Sequence, residues 1–305
     1  FGVNAKYSVI SPILDGLTKL EYRGYDSSGI AVIDENKEIK TIRSKGKLIN
    51  LKKKISKIKI NGKIGIGHTR WATHGVPSTT NAHPHTSDNV SIVHNGIIEN
   101  YSLLKKELLK KGYNFKSQTD SEVIAHLLSD QLKNHNAEVA IKKTMSKLEG
   151  AFAIAIIFKD LRLLAGARKG SPLAVGVSDD ATFIGSDSVA LAPFTKKIIY
   201  LEEGDSVFIQ DTELKIYNER FNEVKRQITY SSYNKDNFGK GNFNHFMQKE
   251  IFEQPHVVGD SLSRFVDPIN KVINIPELKI NWKKISKINF IACGTSFFAC
   301  QVASY

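Results

Sequence analysis

The sequence predicts an α+β fold in which two stacked antiparallel β-sheets are covered by helices. Two observations carry this prediction. Short apolar runs that end at glycine-containing turns recur as far as about Glu223, as is typical of β-strands. Between some of them, apolar residues recur at helical spacing, which indicates helices with one buried face. Two sheets packed face to face under helices would account for this whole span.

The first third of the chain alternates predicted strands and helices. The predicted strands are Ile30 to Ile33, Lys63 to His68 and Val90 to Gly96. The predicted helices are Val9 to Leu20, Tyr101 to Lys111 and Ser121 to Leu132. Ser11 is the expected N-cap of the first helix, with Pro12 at the first helical position. Asp120 and Glu122 favour the start of the third helix, because negative charge is stabilised at a helix N-terminus.

From Gly150 onward, closely spaced apolar runs with tight turns predict antiparallel strands. The runs are AFAIAIIF, RLLAGAR, PLAVGV, ATFIGS, IIYLEEGDSVFI and LKIYN. The stretch from Tyr230 to Asn244 is rich in Gly, Asn, Ser and Lys, which indicates a linker. After it we expect a helix at His245 to Leu262, a strand in KINFIA, a CGTS turn and the start of another helix.

The composition fits a globular protein of two domains. The chain has 305 residues, of which 41% are hydrophobic and 24% charged, and it is long enough for two separate cores. No apolar run approaches the roughly 20 residues that span a bilayer, so no membrane partner is predicted and a cytoplasmic location is expected. Cys293 and Cys300 suggest neither a disulfide framework nor a zinc site, and we expect reduced, buried thiols.

The net charge of +12 does not by itself indicate a nucleic-acid partner, because the lysines are spread along the chain. Only the segment Lys52 to Lys59 is dense in lysine. Ile55 and Ile58 within it have the spacing of one buried stripe, so we interpret the segment as a helix with a solvated lysine face. No nucleic-acid partner is therefore predicted.

The most informative residues lie in the sequences HTRWATHG, HNGIIENY and TDSEV. Arg70 carries a planar guanidinium group, which can donate two parallel hydrogen bonds to a carboxylate. Asp120 can bind an ammonium group from a loop that opens a helix. Together these opposite charges predict a clamp for a free amino acid, whereas Arg70 alone would fit a surface arginine at a strand end equally well.

Asn95 and Gly96 follow a predicted strand, where a side-chain amide and a backbone N–H could stabilise an oxyanion. Asn-Gly is more often a hairpin turn. The sequence GIIEN that continues into a predicted helix argues against a hairpin at this position. With the charged clamp, these groups favour a glutaminase site.

Five histidines lie close together in the sequence and raise the alternative of a metal site: His68, His74, His83, His85 and His94. Their spacing matches no HExxH motif, and each lies in a turn rich in Gly, Thr or Pro, so no metal is predicted. His74 is instead expected on a mobile loop, Trp71 to Ser78, whose closure would exclude water from a substrate.

The turn CGTS at Cys293 to Ser296 could receive a phosphate at a helix N-terminus. A helix capped by Thr or Ser without a ligand is the common alternative. A glutaminase also needs a nucleophile, and no serine or cysteine in the first domain has a recognisable activating partner. The residues alone leave the position of the nucleophile open.

Taken in order, these motifs resemble the isomerising glutamine:fructose-6-phosphate aminotransferases, also called glucosamine-6-phosphate synthases. The matching sequences are LEYRGYDSSGIAV, HTRWATHG, NAHPH, VHNGIIEN, TDSEV and HFMQKEIFEQP. The resemblance covers nearly the whole chain. Other amidotransferases with an N-terminal nucleophile share looser forms of the first motifs, whereas HFMQKEIFEQP followed by CGTS is much narrower.

The resemblance implies a four-layer αββα N-terminal-nucleophile fold, that of class II glutamine amidotransferases, over residues 1–225. It also implies a linker over residues 226–244 and the truncated opening of an αβα sugar-isomerase domain over residues 245–305. Family members begin with a Cys-Gly-Ile-type segment before the residue that matches Phe1. Their N-terminal cysteine is the nucleophile and its own α-amino group is the base, so the chain as given is expected to be inactive.

The resemblance also assigns site residues. The oxyanion hole is Asn95 and Gly96. The residues that help to orient the nucleophile are Arg23 and Gly24. The glutamine-binding residues are Arg70, Trp71, Thr73, His74 and Asp120. The start of the sugar-phosphate loop is Thr295 and Ser296. Trp71 also resembles the family's gate on the ammonia passage between two active sites.

The implied reaction is the hydrolysis of glutamine to glutamate and ammonia through a cysteine thioester. The ammonia converts fructose 6-phosphate to glucosamine 6-phosphate, the first step of amino-sugar synthesis. This chemistry requires no metal or organic cofactor. The implied partners are glutamine and, in the full-length enzyme, fructose 6-phosphate and a second copy in a homodimer.

Three alternatives remain open. Another amidotransferase, such as the one acting on phosphoribosyl pyrophosphate, would have the same first domain but a phosphoribosyl-binding loop in place of CGTS. A non-enzymatic sugar-phosphate sensor would keep CGTS and have no use for Arg70 with Asp120. A nucleic-acid binder would owe its affinity to the lysines and lose it steeply with salt.

Overall fold

The computed structural model describes residues 1–211, 213–231, 242–267, 272–273 and 280–304. The chain divides into two compact units, Phe1–Lys235 and Asp236–Tyr305. The strands of the first unit are β1 (Gly2–Ala5), β2 (Ser27–Ile33), β3 (Ile39–Lys45), β4 (Ile64–Arg70), β5 (His85–Ser87), β6 (Val90–Gly96), β7 (Phe152–Phe158), β8 (Leu163–Lys169), β9 (Ala174–Val177), β10 (Ala181–Gly185), β11 (Lys197–Tyr200), β12 (Ser206–Gln210), β13 (Glu213–Tyr217) and β14 (Ile228–Tyr230). Its helices are α1 (Ile10–Leu20), α2 (Leu48–Ile55), α3 (Tyr101–Lys110), α4 (Glu122–Leu132), α5 (Ala137–Lys147) and α6 (Ser188–Leu191).

These strands form two antiparallel sheets. Sheet A has the order β14-β11-β9-β10-β1-β4-β2-β3, and sheet B has the order β13-β12-β8-β7-β6-β5. β6, which the sequence predicted with the same bounds, pairs with β7 over its full length. The predicted α+β fold with two antiparallel sheets is therefore confirmed.

The side chains of β7 show how the layers are built. Successive residues of a strand point to opposite faces of the sheet. Phe152 and Ile154 face a core shared with α3, α4 and α5, whereas Ala153 and Ala155 face a core shared with sheet A. A third core lies between sheet A and the helices α1, α2 and α6. Three hydrophobic cores thus separate four layers in the order helix, sheet, sheet, helix.

Two helix predictions need correction. α1 begins at Ile10, so Ser11 is not its N-cap; the hydroxyl of Ser11 lies 3.4 Å from Asp15 Oδ2. Pro12 is tolerated there because the first four N–H groups of a helix have no partner within it. In the lysine-rich segment, α2 ends at Ile55, which is buried, whereas Ile58 is 51% exposed and does not belong to the buried stripe.

The boundary region after β13 carries one further strand. Ile228–Tyr230 forms β14 and pairs with β11, although these residues fall in the segment expected to be a linker. Arg226, just before β14, forms two hydrogen bonds of 2.8 Å with the buried carboxylate of Asp205. Most of the remaining linker prediction, residues 232–241, lies outside the described residues.

The elements described in the second unit are α7 (Phe246–Phe265), β15 (Val266–Asp267), β16 (Val272–Ile273) and α8 (Thr295–Ala303). α7 and α8 agree with the predicted helices. The predicted KINFIA strand is wrong: Ile291 is 94% exposed, and in the described part of the chain this run has no neighbouring strand to pair with. Cys293 is exposed and Cys300 is half-buried, so the expectation of buried thiols is wrong for both. Within the described ranges, no helix combines the length and apolarity that a bilayer span requires.

Candidate active site

A cavity of about 360 Å³ lies between the ends of the two sheets in the first unit. The ends of β4 and β6 and the loop before α4 line it. The sequence-predicted residues among its lining are Arg23, Arg70, Trp71, Thr73, Asn95, Gly96 and Asp120. Gly24 and His74 lie next to it and contact lining residues. The fold thus brings together nine residues that four separate sequence motifs contribute.

Arg70 is the last residue of β4 and is only 3% exposed. Its Nη2 donates to the main-chain oxygen of His74 and, at 3.1 Å, to that of Gly75. Its Nη1 lies 4.0 Å from Asp26 Oδ1 and has no hydrogen-bond partner among the described residues. Burial lowers the pKa of Arg70, and the carboxylates of Asp26 and Asp120 oppose this effect. The guanidinium therefore has donor capacity left for a ligand.

Asp120 is equally buried in the loop before α4. Its Oδ2 accepts a 2.8 Å hydrogen bond from the main-chain N–H of Ile98, just beyond β6. Its Oδ1 lies 3.8 Å from Nδ1 of His74, whose carbonyl oxygen accepts from Arg70. His74 therefore connects the cationic and anionic sides of the cavity.

Asn95 and Gly96 end β6 and pair with Ala153 and Phe152 of β7. The chain continues into α3 after Ile97 and Ile98, so the hairpin alternative does not apply here. Gly96 has φ +137°, and a Cβ atom there would lie 2.1 Å from the carbonyl oxygen of Ala151. The side-chain amide of Asn95 forms no hydrogen bond within the described part of the chain and is available to the cavity.

The loop after β4 presents its side chains around this site. Trp71 is 61% exposed and packs edge-on against Tyr25, with ring centroids 5.5 Å apart. Thr73 Oγ1 lies 3.4 Å from His74 Nδ1, and the His74 ring contacts Tyr101.

Asp26 holds this loop, although the sequence reasoning gave it no role. Its carboxylate accepts from the main-chain N–H of Ala72 and from the hydroxyl of Ser27. Ser27 is paired with Arg70 in the β2–β4 ladder, which brings Asp26 to the start of the loop. Because this register is a property of the assembled sheet, no local sequence signal reveals the contact.

Arg23 and Gly24 reach the site in different ways. The Arg23 side chain is 39% exposed, and its Nη1 lies 3.3 Å from Asp187 Oδ2. Asp187 also caps α6 through the N–H of Val189. Gly24 packs on the end of β4, where a Cβ atom would lie 2.7 Å from the carbonyl carbon of Arg70. Asp187, the partner of Arg23, was not identified from the sequence.

Four of the five histidines cluster at the cavity, and three of them, His68, His83 and His94, line it. The ring of His83 lies 4.3 Å from that of His68, 4.8 Å from that of His85 and 6.5 Å from that of His94. Burial, the largest cause, lowers the pKa of His94 to about 4 and that of His85 to about 3, and it holds the other two well below 6.5. Across the described ranges, no group of three or more His, Cys, Asp or Glu side chains is arranged to hold a metal ion.

Thr295 and Ser296 lie in the second unit, at the start of α8 and after Gly294, which has φ +62°. In the described part of the chain, α8 has no buried residue. A role in binding a sugar phosphate stays a prediction for these two residues.

Comparison with known proteins agrees with this geometry. Residues 68–193 match a family model described as a glutamine amidotransferase domain. The chain is 45% identical over 306 residues to the glutamine–fructose-6-phosphate aminotransferase (isomerizing) of Zymomonas mobilis, covering 100% of this chain and 50% of that protein. It is 48% identical over 302 residues to the protein of that name from Mesorhizobium japonicum, covering 98% of this chain and 50% of the relative. The chain thus spans about half the length of the curated relatives it matches.

Solved structures support the same fold. The glutamine phosphoribosylpyrophosphate amidotransferase from B. subtilis, complexed with ADP and GMP, matches with a TM-score of 0.63 at 27% identity, over 73% of this chain and 49% of that chain. A glutamine aminotransferase class-II domain protein from Silicibacter pomeroyi matches with a TM-score of 0.52 at 15% identity, over 72% of this chain and 98% of that chain, which supports the fold alone.

The two kinds of relative differ in how much of this chain they cover. The phosphoribosylpyrophosphate amidotransferase covers 73% of it, whereas the Zymomonas relative covers all of it, at higher identity. This difference favours the aminotransferases over the phosphoribosyl alternative. The N-terminal-nucleophile amidotransferase fold is confirmed for the first unit. The chain contains a glutamine amidotransferase domain and is homologous along its whole length to the isomerizing glutamine–fructose-6-phosphate aminotransferases.

Proposed function

We propose that the first unit binds glutamine and hydrolyses its side-chain amide, and that the complete protein uses the ammonia to convert fructose 6-phosphate to glucosamine 6-phosphate. One observation carries the proposal for the first unit. Arg70 and Asp120, of opposite charge, border one cavity beside Asn95 and Gly96. The names of the curated relatives support the choice of the sugar phosphate.

In this proposal Arg70 and Asp120 bind the α-carboxylate and the α-ammonium group, which all free α-amino acids share. Arg70 binds the α-carboxylate with its guanidinium group, whose Nη1 has no other hydrogen-bond partner among the described residues. Asp120 binds the α-ammonium group, and its hydrogen bond from the Ile98 N–H keeps the carboxylate in place. Thr73 and His74, from the loop after β4, complete the glutamine-binding set.

The side-chain amide of glutamine then lies near the end of β6. The Asn95 amide and the Gly96 N–H act as donors to the oxyanion of the tetrahedral intermediate, where such donors contribute most to catalysis. Arg23 and Gly24 help to orient the nucleophile. Trp71, exposed at the rim, gates the passage of ammonia.

The nucleophile that we propose is a cysteine three residues before Phe1. Phe1 exchanges two hydrogen bonds with Gly67, of 2.9 and 2.8 Å, and lines the cavity. In the antiparallel β1–β4 register, three added residues would continue opposite His68, Thr69 and Arg70. As the cysteine sulfur attacks the amide carbon, the α-amino group of the same cysteine takes the thiol proton and then gives it to the leaving ammonia. Water hydrolyses the remaining thioester to glutamate and restores the thiol.

The remaining parts of the proposal concern the complete protein. Residues 1–225 act as the glutaminase domain and 226–244 as a linker, and residues 245–305 open a sugar-isomerase domain. In that domain, Thr295 and Ser296 begin the loop for the sugar phosphate. We place the complete protein in the cytoplasm as a homodimer.

A glutaminase assay on the chain preceded by Cys-Gly-Ile tests the first step. We expect this chain to release ammonia from glutamine. Arg70→Ala and Asp120→Asn should each raise KM for glutamine roughly a hundredfold, because each removes one charge-assisted contact. Arg220→Ala, at an exposed arginine outside the cavity, is the matched control and should leave KM unchanged.

Undiminished activity in Arg70→Ala would reject the assignment of the carboxylate site. A chain that folds, carries the cysteine and releases no ammonia would reject the glutaminase function itself. The transfer to fructose 6-phosphate is tested separately, by the appearance of glucosamine 6-phosphate with the full-length protein.

A further inference from the structure

The two charged groups of the proposed glutamine site lie on segments that are far apart in the sequence. Arg70 ends β4, and its Nη2 donates to the carbonyl oxygens of His74 and Gly75 in the following loop. Asp120 lies in a different loop, before α4. Because a single carbon atom separates the α-carboxylate from the α-ammonium group of an amino acid, the two loops must keep a fixed spacing to bind both.

Asn81 joins these two loops directly. Its Nδ2 donates to the carbonyl oxygen of Val76 at 2.9 Å, and this carbonyl follows that of Gly75. The same nitrogen donates to Oε1 of Gln118 at 3.1 Å. Asn81 Oδ1 accepts from the main-chain N–H of Gln118 at 2.9 Å, two residues before Asp120. One side chain therefore bonds to both loops.

The contacts of Asn81 match the hydrogen-bonding capacity of an amide. The residue is 3% exposed, and both its donor and its acceptor atoms are in use. Aspartate has the same shape as asparagine, but at this position it would place an acceptor oxygen where Nδ2 of Asn81 donates.

The packing around Gly75 is equally close. This residue has φ +77°, and a Cβ atom would lie 2.8 Å from both Asn81 Nδ2 and Gln118 Cβ. The two loops and the side-chain amide of Asn81 therefore meet in direct contact. A change in the Asn81 side chain will thus alter the spacing of the loops.

We propose that Asn81 is a positioning residue that sets the distance between the Arg70 guanidinium and the Asp120 carboxylate. It thereby makes the site selective for ligands that carry both an α-carboxylate and an α-ammonium group. The inference rests on the proposed function, because it concerns glutamine in the same cavity. It predicts that a ligand with only one of the two charged groups is insensitive to the spacing.

The test compares two amides on the chain preceded by Cys-Gly-Ile. Glutamine has both charged groups, whereas 5-amino-5-oxopentanoate has the carboxylate and the amide but no α-ammonium group. Asn81→Ala should lower kcat/KM for glutamine at least about tenfold, as misplacement of binding groups does. For 5-amino-5-oxopentanoate, kcat/KM should change less than about threefold, because only the carboxylate contact is used.

Two further variants keep the test decisive. Gln118 is exposed, so Gln118→Ala should fold and lose one of the three bonds, giving a smaller loss that is again confined to glutamine. Asn50→Ala is the control, since Asn50 donates to the Lys45 carbonyl on the surface, away from the cavity, and neither substrate should be affected.

Equal losses for both substrates in Asn81→Ala and Gln118→Ala would show a general structural role and overturn the inference. Unchanged activity toward glutamine in both variants would overturn it as well. If Asn81→Ala does not fold, Gln118→Ala decides by the same criterion. A parent chain without glutaminase activity would instead reject the proposed function, and the inference with it.

Discussion

Gly96 occupies a position at the end of β6 where a side chain does not fit. Its φ of +137° lies in a region that other residues rarely adopt, and an added Cβ would lie 2.1 Å from the Ala151 carbonyl oxygen. Both constraints come from the pairing of β6 with β7. The conformation that presents the Gly96 N–H next to the cavity therefore depends on glycine.

Replacing Gly96 with alanine should lower the free energy of unfolding by about 1–3 kcal/mol, the range of a strained backbone position, with further loss from the contact with Ala151. Urea unfolding measures the change. Gly112→Ala is the matched control, because Gly112 has φ +86° but nothing within 4 Å of the added Cβ. Its expected loss is about 1 kcal/mol. Equal losses in the two variants would mean that the contact with Ala151 contributes nothing.

At the scale of single elements, β14 is held by a buried ion pair. The carboxylate of Asp205 is fully buried and accepts hydrogen bonds from Nε and Nη2 of Arg226. It also accepts from the main-chain N–H of Glu202 at 2.8 Å. The pair connects the segment before β14 to the turn that begins β12.

Arg226→Ala should lower the free energy of unfolding by about 3–5 kcal/mol, because it leaves the Asp205 charge buried without its partner. Lys6→Ala provides the comparison, since the Lys6–Asp180 pair is 2.9 Å long but both side chains are more than 60% exposed. That change should stay within about 1 kcal/mol. Chemical denaturation of both variants checks the contrast, and a loss at Arg226 as small as that at Lys6 would contradict it.

The clustered histidines lie on β4, β5 and β6 and just before β5, at the cavity, and make this region sensitive to acid. His94 has a pKa of about 4 in the folded chain because of burial, against 6.5 when exposed. Between these values the unfolded chain binds more protons than the folded one, so the free energy of unfolding falls as the pH is lowered from 6.5 to about 4. For His94 alone the difference is on the order of 3 kcal/mol.

Urea unfolding at a series of pH values between 7 and about 4 should therefore show a steady loss of stability. His94→Gln should flatten this dependence, since it removes one of the groups that titrate. His135→Gln, at a histidine outside the cluster, is the control and should keep the slope of the parent chain. A slope that is the same in His94→Gln and in the parent would contradict the assignment of this histidine.

At the scale of the whole molecule, the hydrophobic cores belong to the first unit. All three described cores are built from residues between Phe1 and Val224. In the described part of the second unit, large apolar side chains of α7 such as Met247 and Phe252 are 72% and 64% exposed. The first unit therefore has what it needs to fold by itself.

A chain that ends at Lys235 should keep the thermal unfolding midpoint of the first unit within about 2 °C, since a shift of that size corresponds to less than about 1 kcal/mol. Differential scanning calorimetry of this chain and of the 305-residue chain makes the comparison. A drop of about 5 °C or more would mean that residues after 235 stabilise the first unit.

Local patterns in the sequence were sufficient to predict the fold class and many of its elements. The strand at Val90 to Gly96 was predicted with the observed bounds, and the helix predicted at Val9 to Leu20 ends at the predicted residue and begins one residue later. Alternation and helical spacing reflect which face of an element is buried, and this information is contained in a few consecutive residues. Where a prediction needed a partner strand, as in KINFIA, local pattern was insufficient.

Only the tertiary structure determined which side chains surround Arg70. The sequence named Arg70, Asp120 and Asn95 as candidates, and the fold brings all three to one cavity. The sequence did not reveal that Asp26 holds the loop after β4, or that Asn81 forms hydrogen bonds with both loops of the proposed clamp. Those contacts depend on strand register and loop packing between residues far apart in the chain, which no short stretch of sequence specifies.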